Sequence, residues 1–202
     1  MGKYLTKIET DFVLRAIDLA ECKFILDVGT EAGKFSLLAT ERQAGVIGID
    51  IDSYGLRRLR LKNKQVDVIL ADARRIPLKE KVLDAVFMIE VLDYIPELET
   101  ALLECHKTLR PGCSLVPSFG NKSSLKSKFR MKSYQHSYGE VLYSLNKVGF
   151  EVKRKTGYNW LPFNRVSESP FIPLLASFEK LFGLRRVCKF SPWVLVYAVK
   201  PQ

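Results

Sequence analysis

Short apolar runs alternate with longer periodic stretches over the first 110 residues. The short runs predict buried strands, and the stretches whose apolar residues recur every three or four positions predict helices. Strands are predicted at residues 24–28, 46–51, 66–70 and 82–89, with a fifth beginning at 114–116. Helices are predicted at residues 7–20, 33–42, 53–62 and 96–109, with Ser53 as the N-cap of the third and Pro111-Gly112 stopping the fourth. This alternation is typical of an α/β fold with a mostly parallel sheet and helices on both faces.

The pattern is less regular after residue 110. A helix is predicted over residues 138–148, and two further strands over residues 150–154 and 193–199. The segment between those strands, at about 157–190, is too long for a tight hairpin, and a connection of that length usually has a function. We predict a single domain over residues 1–202 with an insertion at this segment.

The net charge of +10 is unevenly distributed. Residues 1–110 contain 17 Lys and Arg against 18 Asp and Glu, whereas residues 111–202 contain 15 against 4. A basic excess suits nucleic acid, an anionic membrane surface or an acidic substrate, and it also occurs on solvated faces without a partner.

Other global features exclude several classes. No apolar run reaches the roughly 20 residues of a membrane-spanning helix, and residues 1–11 lack the apolar core of a signal peptide. The four cysteines are scattered without a CxxC pair, which favours a reducing, cytoplasmic location. Neither metal-ligand spacing nor a nucleophile triad is visible.

Glycines and acids follow the predicted strands. The first strand contains Asp27 and enters a turn with Gly29 and Gly33, where glycine lets a ligand approach the backbone. Asp50 ends the second strand about 20 residues later, where an acid can bind both hydroxyls of a ribose. The turn matches neither a phosphate-binding loop nor a dinucleotide fingerprint. The alternative is a tight connection without a ligand, with Asp50 as a charge favoured at a helix start.

Two more acids, Asp72 and Glu90, follow the third and fourth strands. The ordered strings LDVGTEAG, VIGIDID, LADARRIPL, LDAVFMIEVLDYIP and TLRPGCSLV resemble the class I S-adenosylmethionine-dependent methyltransferases, in particular their small single-domain, type 11-like group. The resemblance covers residues 24–117, and more loosely 148–152 and 193–199. It implies a Rossmann-like sheet of seven mostly parallel strands with an antiparallel last strand, and S-adenosyl-L-methionine as the cofactor.

The resemblance also implies cofactor contacts for the first turn. Asp27 would orient the turn or contact the methionine amino group. Backbone groups of Gly29, Thr30 and Gly33 would surround the carboxypropyl part. Relatives have glycine where this chain has Glu31, whose side chain would either crowd the cofactor or, as we expect, point outward.

The remaining implied contacts belong to the adenosine and methyl parts of the cofactor. Asp50 would bind the ribose hydroxyls, and Ile51 would lie against the adenine. Asp72 would accept a hydrogen bond from the adenine amino group, and the Ala73 backbone would pair with a ring nitrogen. Glu90 would stand where the fourth strand opens towards the methyl group.

The acceptor side is less defined, and no catalytic residue is identified. His136 is a candidate base or substrate contact, or alternatively a loop or helix-cap histidine. Tyr94 lines the cleft or packs in the core. The chain lacks the Asn/Asp-Pro-Pro-aromatic turn of relatives that methylate planar amines. No cysteine follows a proline, so the covalent route to pyrimidine methylation is unsupported.

Our favoured hypothesis is an enzyme that methylates a small-molecule or lipid- or glycan-linked acceptor. Residues 1–118 would be the cofactor-binding scaffold, and residues 119–202 the substrate side. One alternative is an RNA methyltransferase that uses a basic run around Phe129, namely Lys122, Lys126, Lys128, Arg130 and Lys132. Another is a cofactor-binding protein without catalysis.

The apolar stretch at residues 171–184 has three interpretations. It is a lid over an apolar substrate, an interfacial helix on an anionic membrane beside Arg185, Arg186 and Lys189, or core or dimer packing. The sequence does not indicate the oligomeric state.

Overall fold

The computed structural model describes residues 1–124, 134, 136–163 and 166–202. Its α-helices within these residues are α1 (Gly2–Ala16), α2 (Lys34–Thr40), α3 (Ser53–Lys62), α4 (Leu98–Thr108), α5 (Tyr138–Val148) and α6 (Ile172–Leu181). Its strands are β1 (Phe24–Val28), β2 (Gly45–Asp50), β3 (Val66–Leu70), β4 (Leu83–Met88), β5 (Leu109–Gly120), β6 (Glu151–Tyr158) and β7 (Trp193–Val199).

The strands form one sheet in the order β3-β2-β1-β4-β5-β7-β6. Strands β1 to β5 pair in parallel, and β7 lies antiparallel between β5 and β6. This confirms the predicted Rossmann-like sheet with an antiparallel last strand. The strand order reverses at β1 and β4, and ligands of open α/β sheets bind at such a point, beyond the carboxyl ends of the strands.

The core consists of two apolar layers, one on each face of the sheet. One layer joins β4 and β5 to α4 and α5 and includes Leu102 and Phe119. The other joins β1 and β4 to α1 and α2 and includes Phe12, Phe35 and Phe87. Because helices cover both faces, the central strands are apolar almost throughout instead of alternating.

Three local predictions are corrected by the structure. Asp52, not Ser53, is the N-cap of α3, since its carboxylate accepts the backbone N–H groups of Tyr54 (2.9 Å) and Gly55 (3.1 Å). The predicted stop at Pro111-Gly112 lies inside β5, because α4 has already ended at Thr108. Strand β6 continues to Tyr158, where pairing with Trp193 completes its ladder with β7.

Helix α6 and two single 3-10 turns, at Leu184–Arg186 and Cys188–Phe190, lie in the predicted insertion. The inner face of α6 packs against the layer that contains α1. Buried Glu179 accepts a hydrogen bond from Arg185 (3.0 Å), and Arg185 donates to the Tyr4 hydroxyl (3.2 Å). This polar cluster attaches α6 to α1. Among the described residues, no helix is both long and apolar enough to cross a membrane.

Candidate functional site

A cleft of about 800 Å³ opens at the carboxyl ends of β1, β2, β3 and β4. The parallel register places these ends side by side, with Val28 beside Ile49 and Asp50 beside Leu70. Volumes of this size are typical of small-molecule and cofactor sites. The cleft therefore lies where the strand order reverses. The predicted strand-end acids Asp27, Asp50, Asp72 and Glu90 all line it.

Asp27 is buried at the floor of the cleft. Its Oδ2 accepts hydrogen bonds from the Thr30 hydroxyl (2.9 Å) and from the Ser36 hydroxyl (2.7 Å) and backbone N–H (3.0 Å). Burial raises the pKa of Asp27 to about 6, although the hydrogen bonds from Ser36 and Thr30 counteract it. A carboxylate held in this way is poised to bind a cation, because a positive partner would offset the desolvation of its charge.

The two turn glycines serve different purposes. Gly29 lines the cleft with a φ of 68°, and a Cβ there would overlap Cγ2 of Val91. Gly33 also has a positive φ, of 80°, but it lies outside the cleft lining, and a Cβ there would overlap Cδ1 of Leu59. The structure thus explains Gly33 by the packing of α2 against α3.

Asp50 connects the turn after β1 to the turn after β2. Its Oδ2 accepts the Glu31 N–H (2.9 Å), and its Oδ1 accepts the Asp52 N–H (2.9 Å). Each carboxylate oxygen has a second lone pair, so both remain able to accept a hydrogen bond from a ligand. Glu31 is exposed and has a φ of 44°, a backbone conformation that explains why glycine is usual at this position.

Asp72 lines the cleft, but Arg74 already engages its carboxylate. The Arg74 guanidinium donates to both oxygens at 2.6–3.1 Å, and its backbone N–H donates to Oδ1 at 2.8 Å. Hydrogen bonds from Arg74 lower the pKa of Asp72. Little acceptor capacity is left for an adenine amino group. By contrast, Ile51 is 75% exposed beside the cleft, as expected for a side chain that a flat ring would cover.

One further acid that lines the cleft, Glu9, was not identified by the sequence motifs. Glu9 of α1 is fully buried, lines the cleft, pairs with Lys34 and accepts a hydrogen bond from the Tyr158 hydroxyl (3.2 Å). Glu90 also lines the cleft, and its backbone N–H donates to the Ser118 hydroxyl (2.8 Å). Burial, together with the charges of Glu9 and Glu90, raises the pKa of Tyr158 well above its ordinary value.

One sequence signal could have pointed to Glu9. It is an acid on the apolar face of a helix, next to Ile8 and in line with Leu5, Phe12 and Val13, all of which are buried. A carboxylate on such a face is buried only with partners. Those partners, Lys34 and Tyr158, come from distant parts of the chain.

Of the two candidate acceptor-side residues, Tyr94 lines the cleft and His136 does not. Tyr94 is 70% exposed and lines the cleft, as does Tyr134. His136 is not among the described residues that line it. Its Nε2 lies 3.1 Å from the carbonyl oxygen of Leu92 and 2.9 Å from that of Ile95. This geometry favours the interpretation of His136 as a loop histidine that positions a turn.

The cleft is acidic although the chain is basic. Among the described residues, six acidic and two basic side chains line it, namely Glu9, Asp27, Glu31, Asp50, Asp72 and Glu90 with Lys34 and Arg74. Of the basic run around Phe129, only Lys122 is described, and it is exposed. The positions of Lys126, Lys128, Phe129, Arg130 and Lys132 lie outside the described residues.

Residues 26–116 match the family model of the methyltransferase domain called Methyltransf_11. Over these residues the chain is similar to the class I methyltransferases. The matched region runs from β1 into β5 and contains the strand ends around the cleft. Helix α1, which contributes Glu9 to the cleft, lies outside it.

Three known proteins illustrate the similarity. The chain is 25% identical to 24-methylenesterol C-methyltransferase 2 of Arabidopsis thaliana, covering 76% of this chain and 48% of that protein. It is 27% identical to a ubiquinone biosynthesis O-methyltransferase of Alkalilimnicola ehrlichii, covering 81% of this chain and 64% of that protein. A solved S-adenosylmethionine-dependent methyltransferase from Mesorhizobium loti superposes with a TM-score of 0.73 at 19% identity, covering 95% and 97%.

The chain spans about half the length of the sterol methyltransferase and under two thirds of the ubiquinone enzyme. The similarity to the solved structure shows the fold.

Proposed function

We propose that this protein is a methyltransferase, which binds S-adenosyl-L-methionine in the acidic cleft and transfers its methyl group to a small-molecule or lipid-linked acceptor. The observation that carries the proposal is the convergence of Asp27, Asp50 and Asp72 from three strand ends on one cleft. S-adenosyl-L-methionine carries a sulfonium, an ammonium and a carboxylate, so it has a net positive charge. An acidic cleft is complementary to it.

The residues present fit the parts of this cofactor. Asp27 would bind the ammonium group, and the backbone of Gly29 and Thr30 would contact the carboxypropyl part. Asp50 would accept from the ribose hydroxyls. Lys34, at the start of α2, lies directly after the glycine turn and lines the cleft. Its ammonium group would bind the carboxylate of the cofactor.

The adenine end has an apolar and a polar contact. Ile51 would cover one face of the ring, and its large exposed area would be buried on binding. The backbone of Ala73 would pair with a ring nitrogen. We assign Asp72 a positioning role through Arg74, because its oxygens are already occupied.

Replacing Asp50 by alanine tests this binding mode. We expect S-adenosyl-L-methionine to bind about 10- to 100-fold more weakly, since hydrogen bonds to a charged group contribute about 1.5–3 kcal/mol each. Isothermal titration calorimetry measures the change. Asp67→Ala is the matched control, because Asp67 is an exposed acid on the neighbouring strand β3 and does not line the cleft. Equal affinity of the wild type and Asp50→Ala would contradict the ribose role.

The acceptor must meet the methyl group at the end of the cleft opposite the adenine. When bound, the cofactor supplies an electrophilic methyl group on a positively charged sulfur. The protein aligns the acceptor, and a base is needed only where the acceptor loses a proton. A phosphate-rich acceptor would be repelled by the acids of this cleft, which favours an uncharged acceptor over RNA.

Glu9 is our candidate for the proton acceptor. Glu9 is among the residues that line the cleft, and its buried carboxylate is held by Tyr158 and Lys34 from two sides. Tyr158 stays protonated because its pKa is raised, so it donates to Glu9 throughout the physiological range. An acceptor hydroxyl would form its bond to the methyl carbon as the carbon–sulfur bond breaks, and its proton would pass to Glu9.

We expect Glu9→Gln to lower kcat by 100-fold or more, a typical share for a positioned base. The affinity for S-adenosyl-L-methionine should change less than threefold. Tyr158→Phe removes the hydrogen bond to Glu9, together with the one to Ser118, and should lower kcat about tenfold. The measurements are kcat, with the acceptor that the methyl-transfer experiment identifies, and a calorimetric titration of the cofactor. A weakened cofactor affinity with unchanged kcat would move Glu9 from the acceptor to the cofactor.

The proposed reaction is tested by following a radioactive methyl group from S-adenosyl-L-methionine. The wild type is incubated with phenols, isoprenoid quinols, sterols and total RNA, and organic and aqueous phases are counted separately. Label in the organic phase supports the proposal. Label in RNA would support the nucleic-acid alternative, and cofactor binding without transfer to any pool would support a non-catalytic protein. We also propose a cytoplasmic location, on the four free cysteines.

A further inference from the structure

Helix α6 has a second apolar face that nothing in the described structure covers. Its inner face, with Ile172 and Leu175, packs on the core. Its outer face presents exposed apolar side chains at the spacing of one helix stripe, namely Phe171, Leu174, Phe178, Leu181 and Phe182. The rings of Phe178 and Phe182 stack at 6.1 Å, so the stripe is continuous. Leu181 and Phe182 are 78% and 71% exposed.

The apolar stripe continues into the two 3-10 turns, where basic residues join it. Val187 and Phe190 are exposed, and the Lys189 ammonium lies 5.8 Å from the centre of the Phe190 ring. Lys180 and Arg186 are exposed as well. Glu179, the acid of α6, is buried and paired with Arg185, so it does not reduce the positive charge of this surface.

A basic cavity of about 640 Å³ lies between α1 and β6, and Arg185 of the first 3-10 turn also lines it. Among the described residues, four cationic residues and one acid line it, namely Arg15, Arg154, Lys155 and Arg185 with Asp11. Arg154 donates to the Arg15 carbonyl oxygen (3.0 Å), which holds its guanidinium at the cavity. The Thr156 hydroxyl donates to the Arg185 carbonyl oxygen (3.4 Å), and this bond attaches the first 3-10 turn beside the cavity.

Helix α1 connects this surface to the candidate active site. Tyr4 contacts Arg185 below α6, and Glu9, five residues later on the same helix, lines the cleft. At 1.5 Å per residue, the two contacts are about 8 Å apart along the helix axis. Helix α1 therefore carries both a contact to the α6 segment and a residue of the cleft.

We propose that the outer stripe of α6, with the turns up to Phe190, binds the surface of an anionic phospholipid bilayer. The apolar side chains would enter the boundary between headgroups and acyl chains, while the basic cavity would bind headgroup phosphates. This occupant follows from the charge, because an exposed apolar stripe edged by cations is complementary to acyl chains below anionic headgroups. The inference goes beyond the proposed reaction, and it would explain how a soluble cofactor meets a membrane-resident acceptor.

The experiment is flotation of the full chain with vesicles of equal parts phosphatidylglycerol and phosphatidylcholine, and with vesicles of phosphatidylcholine alone. We expect binding to the anionic vesicles that falls as salt is raised, and weak binding to the neutral ones. Leu174→Glu/Phe182→Glu should lower the partition coefficient at least tenfold. Arg154→Glu should lower it severalfold. The calorimetric affinity for S-adenosyl-L-methionine should not change, since none of these residues lines the cleft.

Matched controls come from α3, beside the opposite edge of the sheet. Leu61→Glu charges a side chain that is 85% exposed, and Arg57→Glu reverses an exposed cation; neither should alter vesicle binding. Absence of binding to anionic vesicles, or equal binding by the α6 variants, would overturn the proposal. So would a wild-type dimer in sedimentation velocity that Phe182→Glu dissociates without any vesicle binding, because a second copy would then cover the stripe. Failure of methyl transfer would leave the flotation result intact, so the two proposals are tested separately.

Discussion

Replacing Asp27 by asparagine is expected to raise the stability of the protein at pH 7 and, at the same time, to weaken its binding of S-adenosyl-L-methionine. Burial raises the pKa of Asp27 to about 6 from 3.8. The stability associated with its protonation is present below pH 3.8 and is lost as the pH rises through 6. The neutral amide avoids this loss, so the free energy of unfolding should rise by about 2–3 kcal/mol at pH 7.

The effect on binding has the opposite sign. The ammonium group of the cofactor would lose its charged partner, and we expect an affinity about 10- to 100-fold lower. Urea denaturation between pH 4 and pH 7 and calorimetric titration measure the two effects. The stability difference should vanish near pH 4, where wild-type Asp27 is already protonated. Lower stability at pH 7 together with unchanged affinity would contradict both the burial argument and the ammonium role.

Asp84 provides the matched control. Burial acts to raise its pKa, but hydrogen bonds from the Phe24 N–H, Arg110 and the Lys23 N–H together lower it. Its ionised form therefore stabilises the fold, and that stability is lost as the pH falls. Asp84→Asn should lower the free energy of unfolding at pH 7 and leave cofactor affinity unchanged, since Asp84 does not line the cleft.

Gly29→Ala is expected to lower the free energy of unfolding by about 2–4 kcal/mol, through overpacking and an unfavourable backbone conformation. The φ of 68° disfavours any side chain, and the added methyl group would overlap Val91. Thermal and urea denaturation measure the loss. Cofactor binding should fall too, because Gly29 and Val91 both line the cleft.

Two further variants separate these causes. Gly112 has a similar φ of 77°, but a Cβ there would have no heavy atom within 4 Å among the described residues. Gly112→Ala should therefore show the backbone cost alone, about 1 kcal/mol. Adding Val91→Ala to Gly29→Ala should recover part of the stability by removing the overlap. Equal losses for Gly29→Ala and Gly112→Ala would contradict the packing of Val91 on the glycine turn.

Much of the fold could be predicted from local patterns. Strands β1 to β4 were located within about two residues because apolar runs and turn glycines are short-range signals. The placement of Asp27 and Asp50 at one edge followed from the parallel order of the strands, and both residues line the cleft. The error at Asp52 arose because Asp52 and Ser53 are adjacent and both residue types are good N-caps, which local propensity does not distinguish. The error at Pro111 arose because α4 ends before it, at Thr108.

The cluster of Glu9, Lys34 and Tyr158 was not predicted, because its residues are far apart in the sequence. Glu9 meets Lys34 across 25 positions and Tyr158 across 149. No local pattern announces such pairs. Local patterns also did not reveal the hydrogen bonds from Arg74 to Asp72 and Glu97. These bonds reduce the capacity of Asp72 to accept a hydrogen bond from a ligand.

The sequence by itself determined the order of the elements, the parallel sheet and the acids at its strand ends, because each depends on residues close together in the chain. Only the tertiary structure decided which acids are buried, which hydrogen bonds already occupy them, and which face of α6 packs inward. Those properties depend on what surrounds a side chain, such as the Arg185–Tyr4 contact across 181 positions. The described part of the basic second half contains a buried anchor and an exposed apolar stripe, and together with Arg15 of the first half it lines a basic cavity. The cleft is itself acidic.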